Sequence, residues 1–146
     1  MLSKTSIYAI RALLFISLNG KDGFVLIREM SEKLNISFHF LTKILQKLKD
    51  NRIVKSHQGP KGGISLAKSS GKIFLIDILK IYDDDKIFYN CILGLHNCGK
   101  TTPCPVHDDW SKILNRTKKL FYDTTIQKLT VKIKKSNLRI SDLKIS

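Results

Sequence analysis

Asn35-Ile36-Ser37-Phe38-His39-Phe40-Leu41-Thr42-Lys43-Ile44-Leu45-Gln46-Lys47-Leu48, then Ile53-Val54, then Gly59-Pro60-Lys61-Gly62-Gly63-Ile64-Ser65-Leu66-Ala67, is the stretch on which the fold turns. Leu41, Ile44, Leu45 and Leu48 recur at i, i+3, i+4, i+7, which predicts one apolar stripe on a helix from about Phe38 to Asp50. Ser37 stands where a hydroxyl can accept from an exposed amide and cap that helix. Upstream, Ile27, Met30 and Leu34 mark a shorter helix that Asn35-Ile36-Ser37 breaks. Downstream, Ile53–Ser56 and Ile64–Leu66 alternate, and three glycines and a proline lie between them. That composition makes a turn, so the segment predicts a β-hairpin with a basic tip.

Outward from this centre, residues 4–18 read as a helix carrying Ile7, Ile10, Leu14 and Leu18. Residues 73–82 turn helical through Ile76, Leu79 and Ile81. Residues 91–107 have no periodicity and read as a loop. From Trp110 a helical stripe resumes: Trp110, Ile113, Leu114, Thr117, Leu120, Phe121 and Thr124. Asp108 and Asp109 suit the positive end of that helix. A short helix, a three-residue break, a longer helix and a glycine-tipped hairpin make a winged helix-turn-helix. The expected fold is mainly α: that domain with a small two-stranded β-wing, plus a long C-terminal helix. The expected divisions are 1–82 for the winged helix-turn-helix, 83–107 for a cysteine loop, 108–129 for a dimerisation helix and 130–146 for a frayed basic tail.

Charge adds a partner class. The chain of 146 residues carries 26 basic and 12 acidic side chains, a formal +14. Residues 1–67 hold a net +7 and residues 112–146 a net +8, around a middle of −1. Such a surface suits a polyanion, most often nucleic acid. The predicted third helix buries its apolar stripe and leaves Ser37, His39, Thr42, Lys43, Gln46 and Lys47 to enter a major groove. Gln58 and Lys61 are the polar members of the wing tip. No apolar run reaches the ~18–20 residues of a membrane span. Ala12–Leu18 is too short and lacks the cleavage pattern of a signal peptide. A cytoplasmic protein with no membrane partner and no small-molecule substrate is therefore expected.

All three cysteines, Cys91, Cys98 and Cys104, fall within 14 residues, and His107 follows as Cys-Pro-Val-His. Thiolates with an imidazole suit soft metals and iron–sulfur clusters. The paired knuckles usual for zinc are absent. A zinc site and a thiol redox switch remain open alternatives. The loop is too polar and irregular to be core, so its cysteines are expected to stand apart unless a cofactor gathers them. Cys104 with His107 as a nucleophile–base pair lacks an orienting third group, so an enzyme is not expected. The stripe of Trp110, Ile113, Leu114, Thr117, Leu120 and Phe121 is too large to leave in water, and a partner's matching helix is its simplest cover.

Residues 35–48, the Ile53-Val54 step and the wing sequence together resemble the Rrf2 family of bacterial transcription regulators over about residues 1–129. The resemblance implies a homodimer on a palindromic operator in double-stranded DNA, with the helix after the cysteine loop as the dimer interface. Iron–sulfur members carry three cysteines here, usually with one residue fewer between the first two, which leaves [2Fe–2S] and [4Fe–4S] both open. Several members place an arginine before the wing glycine, where this chain has Gln58. Some take a fourth ligand from an acidic residue just before the first-helix tyrosine of the partner. Here Ile7 precedes Tyr8 and cannot ligate, so His107 is the better candidate and His96 a weaker one.

Overall fold

A computed structural model describes residues 2–20, 24–60, 62–83 and 85–142. Helix α1 (Lys4–Asn19) is capped by Ser3, whose hydroxyl accepts from the Ser6 amide at 3.1 Å. It runs through the middle of the molecule and packs against α2 (Ile27–Leu34), α3 (Phe38–Asp50), α4 (Leu75–Tyr82) and α6 (Ile126–Ser136). The inward stripe expected for it is thereby displaced. Leu14 of that stripe is buried, as is Phe15 at its margin, but Ile7, Ile10 and Leu18 are only half-buried, while Ala9, Ala12 and Leu13 are fully buried beside them. A helix covered on several sides has no single solvent face for a simple amphipathic pattern to mark.

Helix α2 stops at Asn35, which adopts the left-handed conformation (φ 54°, ψ 48°) that asparagine tolerates at a C-cap. Ile36 plugs the core at 4% exposure. Ser37 then caps α3 by accepting from the Phe40 amide at 3.2 Å. Leu41, Ile44, Leu45 and Leu48 are all buried, as their spacing predicts. Strands β1 (Val54–His57) and β2 (Gly63–Leu66) pair antiparallel with Val54 opposite Leu66 and His57 opposite Gly63. Val25 bridges to Ile64 on the other edge, through two hydrogen bonds of 2.8 Å. Gly63 is required there, because a Cβ would stand 2.6 Å from the Val25 carbonyl oxygen.

The long helix ends where its apolar stripe does, near Thr124, and the frayed tail expected beyond it is instead a further helix. Helix α5 (His107–Asp123) ends at Thr124, and α6 begins directly after Thr125. Leu75 donates to the Thr124 carbonyl and Ile126 to the Ile73 carbonyl, at 3.0 and 2.9 Å. Those bonds pull the chain out of the helix. Thr125 then caps α6 by accepting from the Lys128 amide at 3.1 Å. Residues 130–136, expected to fray, are helix instead. Ile126 is fully buried, and the Thr130 hydroxyl, which donates to the Ile126 carbonyl at 2.8 Å, lies 3.0 Å from the Ser17 hydroxyl of α1. Among the described residues no helix is long and apolar enough to cross a membrane.

Asp83 ties the end of α4 to the start of α1. Its Oδ2 accepts from the Ser3 amide, the Ser3 hydroxyl and the Ser6 hydroxyl, at 3.3, 3.1 and 2.6 Å. Burial pulls its pKa upward, but the hydrogen bonds from Ser6 and Ser3 outweigh that and hold the carboxyl below its ordinary range. A depressed carboxylate stabilises the fold above its unfolded-state pKa and loses that contribution as pH falls through the folded value. Asp83→Asn should therefore lower stability at pH 7 by about 1 kcal/mol, screened as it is by solvent. The deficit should shrink toward pH 3 in urea titrations. A deficit independent of pH would refute the assignment.

Candidate DNA-binding face and cysteine site

The polar side chains predicted to face DNA all lie on the open side of α3. Ser37, His39, Thr42, Lys43, Gln46 and Lys47 are exposed. They are not equally available. The Thr42 hydroxyl donates to the Phe38 carbonyl at 2.7 Å, and Gln46 Nε2 donates to Asp50 at 2.9 Å. Lys47 Nζ lies 5.3 Å over the Tyr82 ring. Among the described residues His39 and Lys43 have no such partner. Gln58 is exposed at the wing, and Gly59 beside it takes φ +106°, a turn conformation that glycine permits. Lys61 lies outside the described residues.

The cysteine loop leaves the core at Phe88, which is buried against Phe121 with ring centroids 5.6 Å apart. The cysteines do not stand apart. The three sulfurs lie within 4.8 Å of one another, with Cys91 Sγ 3.7 Å from Cys104 Sγ. The loop's own turns gather them. Gly94 donates to the Cys91 carbonyl, Thr102 Oγ1 to the Asn97 carbonyl and the His107 amide to the Cys104 carbonyl. The Cys104 amide donates to Cys98 Sγ at 3.3 Å. His107, on the first turn of α5, places Nδ1 3.4 Å from Cys98 Sγ, and its Nε2 lies 3.5 Å from the Ser111 hydroxyl. Among the described residues the group of mutually close ligand atoms comprises the three cysteines alone: His107 adjoins it through Cys98, and His96 is exposed. The sulfurs open onto a cavity of about 210 Å³, walled also by Trp110, Leu114 and Lys118.

The thiols are not equivalent. Backbone N–H groups of Leu95 and Leu93, with the neighbouring thiols, bring the Cys91 pKa down to about 7. For Cys98 the Cys104 amide pulls downward, but burial and the adjacent sulfurs outweigh it and the pKa is raised. Of these two thiols, Cys91 therefore gives up its proton first. Three thiolates beside an imidazole fit either an iron–sulfur cluster or zinc by donor softness.

Two supporting roles escaped the sequence reading, one of them that of Trp110, which was expected only in the dimer stripe. Trp110 Nε1 donates to the Asn90 carbonyl at 2.9 Å and pins the start of the loop to α5. Ser111 orients His107, and its i+4 spacing from that histidine was the available signal. The stripe on α5 also divides. Phe121 is buried at 7% exposure in its own core, and Leu114 and Trp110 turn toward the cysteine cavity. Thr117 is half-buried and donates its hydroxyl to the Ile113 carbonyl, while Ile113 and Leu120 are 54% and 55% exposed.

Residues 2–132 match the model of the Rrf2 family, described as iron-dependent transcriptional regulators. The chain belongs to the Rrf2 family. It is 35% identical over 129 residues to a chain of Aquifex aeolicus assigned to the HTH-type transcriptional regulators, covering 87% of this chain and 89% of that one. It is 27% identical over 122 residues to the HTH-type transcriptional regulator IscR of Xenorhabdus nematophila, covering 84% and 74%. Two solved structures share the fold: CymR, the global cysteine regulator of B. subtilis, with a TM-score of 0.76 at 19% identity over 90% of this chain and 96% of that one, and T. potens IscR, with 0.74 at 17% over 95% and 92%. This Rrf2 protein is thus a transcriptional regulator with a DNA-binding winged helix, and not an enzyme.

Proposed function

We propose that this Rrf2 protein is a cytoplasmic homodimer that binds a palindromic operator in double-stranded DNA. We further propose that an iron–sulfur cluster held by Cys91, Cys98, Cys104 and His107 sets its operator affinity. The observation that carries this reading is the convergence of three sulfurs within 4.8 Å, with the His107 imidazole against Cys98. A bound cluster would supply a centre sensitive to redox state and nitric oxide. The chain's own residues supply the link to DNA. Tyr82 donates to the Ile44 carbonyl, in the middle of α3, at 2.6 Å. Burial pushes the Tyr82 pKa well above its ordinary range, so the hydroxyl remains a donor. Only residues 83–90 separate this tyrosine from Cys91. A ligand that favours one arrangement of the loop thereby biases the position of α3.

Anaerobic reconstitution with iron and sulfide tests the reading. The expected product is brown, and its visible absorbance and operator affinity change together on exposure to oxidant. A colourless protein that still binds its operator fully overturns the cluster. For the DNA contacts, Lys43→Ala should relax discrimination at one base pair by about 1–3 kcal/mol, whereas Lys61→Ala should weaken all sequences alike and lower the salt slope by about 1. Unchanged affinity and slope in both variants would move the DNA-binding face elsewhere.

A second reading is a thiol redox switch without a cluster. The 3.7 Å separation of Cys91 and Cys104, with the lowered Cys91 pKa, favours it. Mass analysis after mild oxidation, with metal analysis for zinc, separates the two.

A further inference from the structure

Phe38 is the first residue of α3, and it is 52% exposed. The fold does not use it for packing: Phe40, two residues later, leans on Tyr8 in an edge-to-face contact of 5.7 Å and joins the margin of the core, whereas Phe38 is absent from that cluster. A large aromatic left in water at the start of a helix lacks the driving force of burial. Its neighbours on the same open surface are Ser37, His39, Thr42 and Lys43, all exposed.

Thr42 sits one turn on, at i+4, where side chains of one helix meet. Its hydroxyl is spent on the Phe38 carbonyl at 2.7 Å. That bond leaves the threonine methyl, and not its donor, to meet a ligand. Gln46 is held by Asp50 and Lys47 lies over Tyr82, so two further polar groups of the helix are engaged at home. The N-terminal half of α3 thus presents an apolar strip, Phe38 with the Thr42 methyl, beside two uncommitted polar groups, His39 and Lys43. A recognition helix meets base edges with its N-terminal residues. In the major groove the apolar group on those edges is the C5-methyl of thymine.

We infer that Phe38, together with the Thr42 methyl, reads thymine methyl groups in the major groove, and so sets operator specificity by apolar contact. This rests on α3 being the helix that enters the groove.

The test uses the intact chain. A duplex site is first selected from random-sequence DNA. Each thymine in that site is then replaced in turn by deoxyuridine, which lacks only the methyl group. At one or two thymines in each recognised half, wild type should lose about threefold to fivefold in affinity per methyl. Phe38→Ala should bind the thymine and uracil versions equally well at those positions, and Phe38→Leu should keep part of the discrimination. Circular dichroism should show both variants folded, as expected of an exposed side chain. Indifference of wild type to uracil at every position overturns the inference while leaving DNA binding in place. So does an equal loss on thymine and uracil sites in a Phe38→Ala variant that stays uracil-sensitive. Failure to select or bind any duplex overturns the reading beneath it as well.

Discussion

Leu120→Lys is expected to give a monomer and to weaken operator binding by about 100-fold or more, because the two half-sites of the proposed dimer's operator are then no longer read together. Leu120 is 55% exposed on α5, so a lysine there meets no core and should change the unfolding free energy by no more than about 0.5 kcal/mol. The adjacent residue provides the contrast. Phe121 is 7% exposed and packs on Phe88, so Phe121→Ala should cost about 3–5 kcal/mol whatever the oligomeric state. Sedimentation and denaturant titration of the two variants separate a proposed interface residue from a core residue one position away. A monomeric wild type, or a Leu120→Lys protein that stays dimeric, removes the proposed interface. The lysine works by adding a charge to a surface that must lose its water on pairing.

Alanine at Cys91, Cys98 or Cys104 is expected to abolish the visible chromophore after anaerobic reconstitution. Alanine at His107 should leave a weaker or altered one, with iron retention reduced about 10- to 100-fold. The winged helix should keep its stability in all four variants, since the core that holds Leu41, Ile44, Leu45 and Leu48 includes none of the three cysteines or His107. Absorbance, iron content and thermal melting are the measurements. A Cys104→Ala protein that retains full colour would exclude that residue as a ligand. His107→Ala should also free Ser111, so Ser111→Ala serves as a control on orientation: it should shift the spectrum less than loss of the imidazole.

Much of the DNA-binding half was legible without coordinates. The stripe on α3 lies within 13 consecutive residues, and the wing is marked by glycines whose turn chemistry is local. The clustering of three cysteines in 14 residues identified the second site, and the Cys-Pro-Val-His step placed His107 beside it. The pairing of sulfurs was not legible. Cys91 and Cys104 lie 13 positions apart in irregular chain, and local hydrogen bonds at Gly94, Thr102, Cys104 and His107 accompany their approach to 3.7 Å. Such single hydrogen bonds leave no periodic trace.

The sequence by itself determined most of the element types, the polar residues left exposed on α3 and the clustering of the three cysteines ahead of His107, because each depends on spacing within a few turns of chain. The tertiary structure alone decided which face of each helix is covered. Helix α1 is enclosed by partners from both ends of the chain, so its buried residues are not those of a simple stripe. Residues 130–136 are helix because Ile126, Leu129 and Ile133 pack on the core and Thr130 meets Ser17, a residue 113 positions away. The apolar stripe of α5 is shared among the core, the cysteine cavity and solvent, although periodicity shows it as one surface. A hydrophobic pattern records that a side chain needs cover. It does not record what covers it, because burial free energy is set by area removed from water and is indifferent to which part of the chain removes it.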